Sequence, residues 1–230
     1  MAAVYLDFKF SKMRGFFVLL IFVSFGAQAQ YEVLPFGDVQ RTPIKEIKYT
    51  DVTGSPYLYD FWVKGKVTLQ NGKKYITDSL KYNVIDEKLI FKNNDGSLMY
   101  FAEPVKEFEL YGTEPNPVHF INGLPAINGL NSNSYYQVIA TGKIGLLKKV
   151  SKNITELKQY GSAVTNKAFN TTYSYYSFQN GTLTKITPNK KTIIALFGIK
   201  EDLLNDFLKK EKVDFKKDED LYKLFTYLNY

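Results

Sequence analysis

Cysteine is absent from this chain of 230 residues, and histidine and tryptophan occur once each, as His119 and Trp62. Without cysteine there is no disulfide and no lipid attachment at a thiol, so the fold must be held by its core. A single histidine leaves no conventional His/Cys zinc site. The phosphate-cradling Gly-x4-Gly-Lys-Ser/Thr loop and the dinucleotide pattern Gly-x-Gly-x-x-Gly are also missing. No metal and no cofactor is therefore expected. An EF-hand-like spacing at Asn93, Asp95 and Gly96 fails at its first and twelfth positions, Phe91 and Ala102, and reads instead as a hairpin turn.

Long apolar runs are scarce too, and Phe16 to Val23 is the one that stands out. Lys9, Lys12 and Arg14 precede it, and small residues at Ala27 and Ala29 follow it, just before Gln30. Charged start, short apolar stretch and small-residue cleavage pattern together define a secretory signal peptide over 1-29. The run is well short of the roughly 20 apolar residues that a spanning helix needs. The expected mature chain starts at Gln30 and works outside the cytoplasm: periplasmic, outer-membrane-associated or secreted. Its membrane contact is expected to be at most peripheral. The leader takes Lys9, Lys12, Arg14 and Asp7 from a formal charge of +7, leaving +5. The lysine pairs are scattered and partly interleaved with acids, which reads as solvated faces, with no nucleic acid partner expected.

From Gln30 to about Thr53 the pattern is irregular, with one strand expected at Ile44 to Tyr49. Val63, Gly65, Val67 and Leu69 then alternate with polar residues, the period of a half-buried strand. Asn71-Gly72 supplies a hairpin turn into Lys73 to Ile76. Leu80 to Val84, Leu89 to Lys92, Leu98 to Phe101 and Phe108 to Leu110 read as further strands. A long irregular connection, rich in Pro, Gly and Asn, is expected near 112-134. Tyr135 to Ala140, Ile144 to Val150, Tyr173 to Phe178, Leu183 to Ile186 and Thr192 to Phe197 continue the β pattern. The period then changes: Leu203, Leu204, Phe207 and Leu208 form one helical stripe, and Leu221, Leu224, Phe225 and Leu228 a second. The expected fold class is α+β, a predominantly antiparallel meander over 30-198 with a pair of short C-terminal α-helices, 199-230, packed on it as a hairpin.

The stretch Gly54-Ser55-Pro56-Tyr57-Leu58, with Lys64-Gly65-Lys66-Val67, Asn71-Gly72-Lys73-Lys74-Tyr75, Leu80-Lys81-Tyr82-Asn83, Leu89-Ile90-Phe91 and the helical tail at Tyr227-Leu228-Asn229, resembles an uncharacterised family of exported bacterial β-rich proteins. The resemblance runs from Gly54 onward. It implies export and a β-rich fold, and carries no activity, cofactor or site residue with it.

Aromatic residues are the most distinctive content. Of 18 tyrosines, all but Tyr5 lie beyond the leader. Tyr57, Tyr59 and Trp62, with Phe61 among them, cluster ahead of the first clear strand, and Tyr173, Tyr175 and Tyr176 in the second half. Tyrosine suits half-buried strands, ring inward and hydroxyl outward, and the same residues can form a platform for a glycan or an extended partner. His119 lacks an evident catalytic partner. Asp60, Asp86, Glu87, Glu103, Glu107 and Glu109 are carboxylates that a glycosidase-like hydrolase could use, with no pair nominated. The expected function is a non-enzymatic envelope or secreted module that binds an envelope protein, a glycan or an apolar ligand. A carboxylate-dependent hydrolase and a lipid carrier with an apolar cavity are the alternatives.

Overall fold

The computed structural model describes residues 30-33, 41-44, 49, 51-158 and 165-230. The expected leader over 1-29, and most of the strand expected at Ile44 to Tyr49, lie outside the described residues. In chain order the strands are β1 (Glu32–Val33), β2 (Arg41–Pro43), β3 (Val52–Thr53), β4 (Val63–Leu69), β5 (Lys74–Asn83), β6 (Lys88–Lys92), β7 (Leu98–Phe101), β8 (Val105–Tyr111), β9 (Val118–Ile121), β10 (Tyr136–Ala140), β11 (Gly145–Lys158), β12 (Thr165–Gln179) and β13 (Thr182–Ile186). Three helices follow: α1 (Lys190–Phe197), α2 (Glu201–Glu211) and α3 (Asp218–Asn229). The fold is thus a β-rich α+β fold.

All strands belong to one sheet, ordered β13-β12-β11-β10-β9-β8-β4-β5-β6-β7-β2, with β1 added parallel to β5 and β3 parallel to β12. The sheet is therefore mixed, an antiparallel path with two short parallel additions. Between β7 and β8 only residues 102-104 intervene, a reach of about 14 Å at most. Four flat strand spacings would require about 19 Å. Strands β4 to β8 therefore curl, and the inside of the curl holds Val67, Tyr75, Leu80, Tyr82, Phe91, Phe108 and Phe120, all nearly inaccessible. Phe108 and Phe120 stack at 4.9 Å, with Tyr82 against both.

Beyond β8 the sheet opens into a long hairpin. Fourteen residues of β11 pair with β12, from Gly145 opposite Phe178 to Lys158 opposite Thr165, a length of about 45 Å. One face of its base meets the helices through Leu146, Tyr175, Ile193, Leu204, Leu221, Leu224 and Phe225. The other face is covered by the 122–134 connection, with Tyr136, Leu147 and Tyr176 buried beneath Leu124. A buried ion pair joins the two halves. Lys149 Nζ lies 2.7 Å from Glu87 in the β5–β6 turn and donates to the Tyr135 carbonyl at 3.1 Å, while Glu87 accepts from the Tyr135 amide at 2.9 Å.

Three expectations change. Thr192 to Phe197 is helical, not a strand: Asn189 accepts from the Thr192 amide at 2.9 Å, and Gly198 ends the helix at φ 63°. The N-cap and the left-handed glycine outweigh the β-branched Thr-Ile-Ile run, a weak preference beside capping and tertiary contacts. Among the described residues there are therefore three helices, α1 being added to the expected C-terminal pair, α2 and α3. The 112-134 connection is also interrupted by β9, whose Val118 and Phe120 face the core on alternate positions. His119 accordingly stands on a strand, 3.4 Å from Glu107, not in a loop. Lys73 to Ile76 and Leu80 to Val84 fuse into the single strand β5, whose pairing shifts between Val63 and Gly65 of β4; the irregularity breaks the period of two that would have marked it as one strand.

Candidate functional site

Residues 54-62 cross from β3 to β4 without regular structure, and they are held firmly. The Leu58 amide donates to the Tyr82 carbonyl at 2.9 Å, and the Val84 amide to the Pro56 carbonyl at 2.9 Å. Lys152, from the long hairpin, reaches under the segment and donates to the carbonyls of Ser55 at 2.8 Å and Tyr57 at 2.5 Å. Lys81 donates to the Asp60 carbonyl at 2.7 Å. Side chains at either end of this segment are therefore presented on a braced backbone, not on a free loop.

An open cleft of about 460 Å³ lies where this segment meets the hairpin, lined by Gly54, Ser55, Leu58, Tyr59, Asp60, Phe61, Thr113, Lys152 and Phe169. Tyr59 and Phe61 set their rings 5.6 Å apart at a 33° tilt. Phe61 is 49% exposed, a large apolar ring left uncovered. Tyr59 is oriented by its hydroxyl, which donates to Glu114, and burial together with that carboxylate holds the phenol well above its ordinary range. It therefore acts as a neutral donor and ring, not as a base. Burial lowers the Lys152 amine, with Asp60 pulling the other way; two of its three donors are spent on carbonyls, leaving one. Asp60 is the one carboxylate among the described residues of the lining, so these residues by themselves do not set an acid and a base across a scissile bond. Among the described residues no group of three His, Cys, Asp or Glu side chains could hold a metal ion.

The six tyrosine and tryptophan residues singled out by clustering do not form one surface. Tyr59 enters the cleft, whereas Tyr57 and Trp62 stand beside Lys81, whose Nζ is 4.8 Å and 5.1 Å from their ring centroids. Strand alternation separates the second cluster. Tyr173 is 58% exposed with Lys148 over its ring at 4.4 Å. Tyr175, on the same face, donates at 2.8 Å to Asp218 at the start of α3. Tyr176 points the opposite way and is buried edge-on against Tyr136. Of the other carboxylates, Glu87 is engaged by Lys149, Glu109 by Lys66 at 3.4 Å and Tyr111 at 3.0 Å, and Asp86 by Asn83 at 2.8 Å. Lys152, Phe169 and Thr113 escaped sequence reasoning, because nothing in local spacing connects them to residues 54-61.

Comparison with protein-family models, curated proteins and solved structures finds no match for the chain.

Proposed function

We propose that the protein is an exported, non-enzymatic binding module whose cleft takes a glycan. The observation that carries this reading is the Tyr59–Phe61 pair, one ring fixed through Glu114 and the other left open to solvent, surrounded by polar groups. Sugar rings have apolar C–H faces edged by hydroxyls, and suit a site with an aromatic wall and a few fixed donors and acceptors. Ser55, Asp60, Thr113 and the remaining Lys152 donor supply the latter. Export rests on the signal-like 1-29 segment. An open, half-polar cleft favours this reading over a lipid carrier, which needs an enclosed apolar cavity.

The test is calorimetric titration of the mature protein with chito-, cello- and xylo-oligosaccharides. At least one series is expected to bind, and Phe61→Ala is expected to weaken it at least tenfold without shifting the melting temperature by more than a few degrees, since half-exposed side chains contribute little to stability. Failure of every series, or equal binding by the variant, rejects the cleft as a glycan site.

A further inference from the structure

β4, β5 and β6 carry Lys64, Lys66, Lys74, Lys81, Lys88 and Lys92 against one carboxylate, Asp78. These lysines alternate with the core residues Val63, Val67, Tyr75, Leu80, Tyr82, Leu89 and Phe91, so they leave the sheet on the outside of the curl. Aromatic rings are set between them. Lys66 and Lys74 lie 5.3 Å and 5.5 Å from the Tyr31 ring centroid, and Lys66 also lies 5.6 Å from Tyr111. At the other end of β5, Lys81 and Lys92 lie 5.1 Å and 4.7 Å from Trp62, with Tyr57 beside Lys81, and Lys88 lies 4.9 Å from Tyr100. Lys74 and Lys81 are seven residues apart on one strand, about 20 Å.

We infer that this row of lysines and rings binds an acidic polysaccharide, a chain of sugar rings bearing carboxylates at intervals, laid along β5 and passing across Trp62 toward the cleft. Its cleft end rests on the glycan reading above; its lysine row does not. The ammonium groups of Lys66, Lys74, Lys81, Lys88 and Lys92 are held over aromatic faces, with Lys66 also paired to Glu109 at 3.4 Å and Lys81 also donating to the Asp60 carbonyl at 2.7 Å, which fixes their positions and reduces the ordering needed when an anion arrives. Between them the exposed parts of Tyr31, Tyr57 and Trp62 offer the apolar faces that sugar rings stack on. Tyr57 and Trp62 share a braced segment with Tyr59 and Phe61, so the row and the cleft adjoin. Carboxylates flank the row: Glu107 and Glu109 point outward from β8, and Asp86 is exposed in the β5–β6 turn. A flat anionic membrane would meet these acids together with the lysines, whereas a single chain can run between them.

The mature protein is titrated with a short oligogalacturonate, with its neutral methyl ester, and with anionic phospholipid vesicles. The acid is expected to bind at least about tenfold more tightly than the ester, with affinity falling steeply as salt rises. Lys66→Gln with Lys74→Gln, and separately Lys88→Gln with Lys92→Gln, are each expected to weaken the acid about tenfold and to reduce the salt slope by about 1 to 2, with the melting temperature as the control for folding. Phe61→Ala is expected to keep the salt dependence, so failure of the cleft reading leaves a distinct signature. Equal binding of acid and ester, indifference to both lysine pairs, or preference for vesicles over oligogalacturonate overturns the inference.

Discussion

Gly112 stands where Tyr59 needs it to be. A Cβ added there would fall within the tyrosine ring, at Cζ and the hydroxyl, so Gly112→Ala must displace Tyr59 from Glu114. The expected outcome is at least a tenfold loss of oligosaccharide affinity together with a stability loss of about 1 to 3 kcal/mol, the usual range for overpacking. Calorimetric titration and urea unfolding measure the two effects, and an unchanged affinity would show that Tyr59 takes no part in the site. Asn229 has a different task, closing the C-terminus onto the sheet. Its side chain accepts from the Ile144 amide at 2.9 Å and donates at 3.0 Å to the Ile144 carbonyl and at 2.8 Å to that of Phe225. Asn229→Ala leaves these backbone groups unpaired and is expected to cost about 1 to 3 kcal/mol in urea unfolding; a smaller loss would mean that water replaces the amide.

At the scale of elements, α3 is the clearest case of a sequence stripe becoming a core. Leu221, Leu224 and Phe225 are fully buried, with Phe225 edge-on to Phe197 of α1 at 5.3 Å. A helix of 12 residues is marginal alone in water, so it depends on this face. Phe225→Ala is expected to lower stability by about 3 to 5 kcal/mol, and a loss below about 1 kcal/mol would indicate that the site refills or that the face is peripheral. The stripe at Leu221, Leu224, Phe225 and Leu228 was legible because its period is unambiguous, and the β4 alternation was legible for the same reason. The distal hairpin was not. Its residues from Ser151 to Glu156 and from Asn166 to Thr172 are largely polar or partly exposed, so neither face shows a hydrophobic period, and it is their pairing with each other across the hairpin, with β3 added beside Lys167 and Ala168, that fixes them. The cleft was half legible in consequence: Tyr59 belonged to a visible aromatic cluster, while Lys152 and Phe169 sit on the silent part of the hairpin. Splitting of Tyr175 from Tyr176 follows from strand alternation alone, yet only the helices and the 122–134 connection decide that both faces are covered.

For the whole molecule, the abundance of buried tyrosine sets its response to alkali. Burial raises Tyr82 and Tyr135 well above the ordinary phenol value, and burial with the Asp218 carboxylate does the same for Tyr175; Tyr136 is pushed up to about 12. These groups stay neutral in the fold and ionise first in the unfolded chain. Their contribution is therefore complete below the ordinary value of 10.0 and is lost as pH rises through the folded values. Lys149 acts in the opposite sense: burial lowers it, more than the Glu87 carboxylate raises it, so its penalty fades as pH climbs toward the ordinary amine value of 10.5. Lys152 is lowered by burial in the same sense and Tyr59 is raised like the other phenols, so two amines relieved against five phenols strained still give a net loss. The urea midpoint is accordingly expected to fall from pH 10 toward pH 12, with tyrosinate absorbance from the buried rings appearing together with the loss of circular dichroism. Complete tyrosinate absorbance in a chain whose circular dichroism and urea midpoint are unchanged would mean that these hydroxyls are open to water, and that the packing around Tyr82 and Tyr135 is looser than their burial requires.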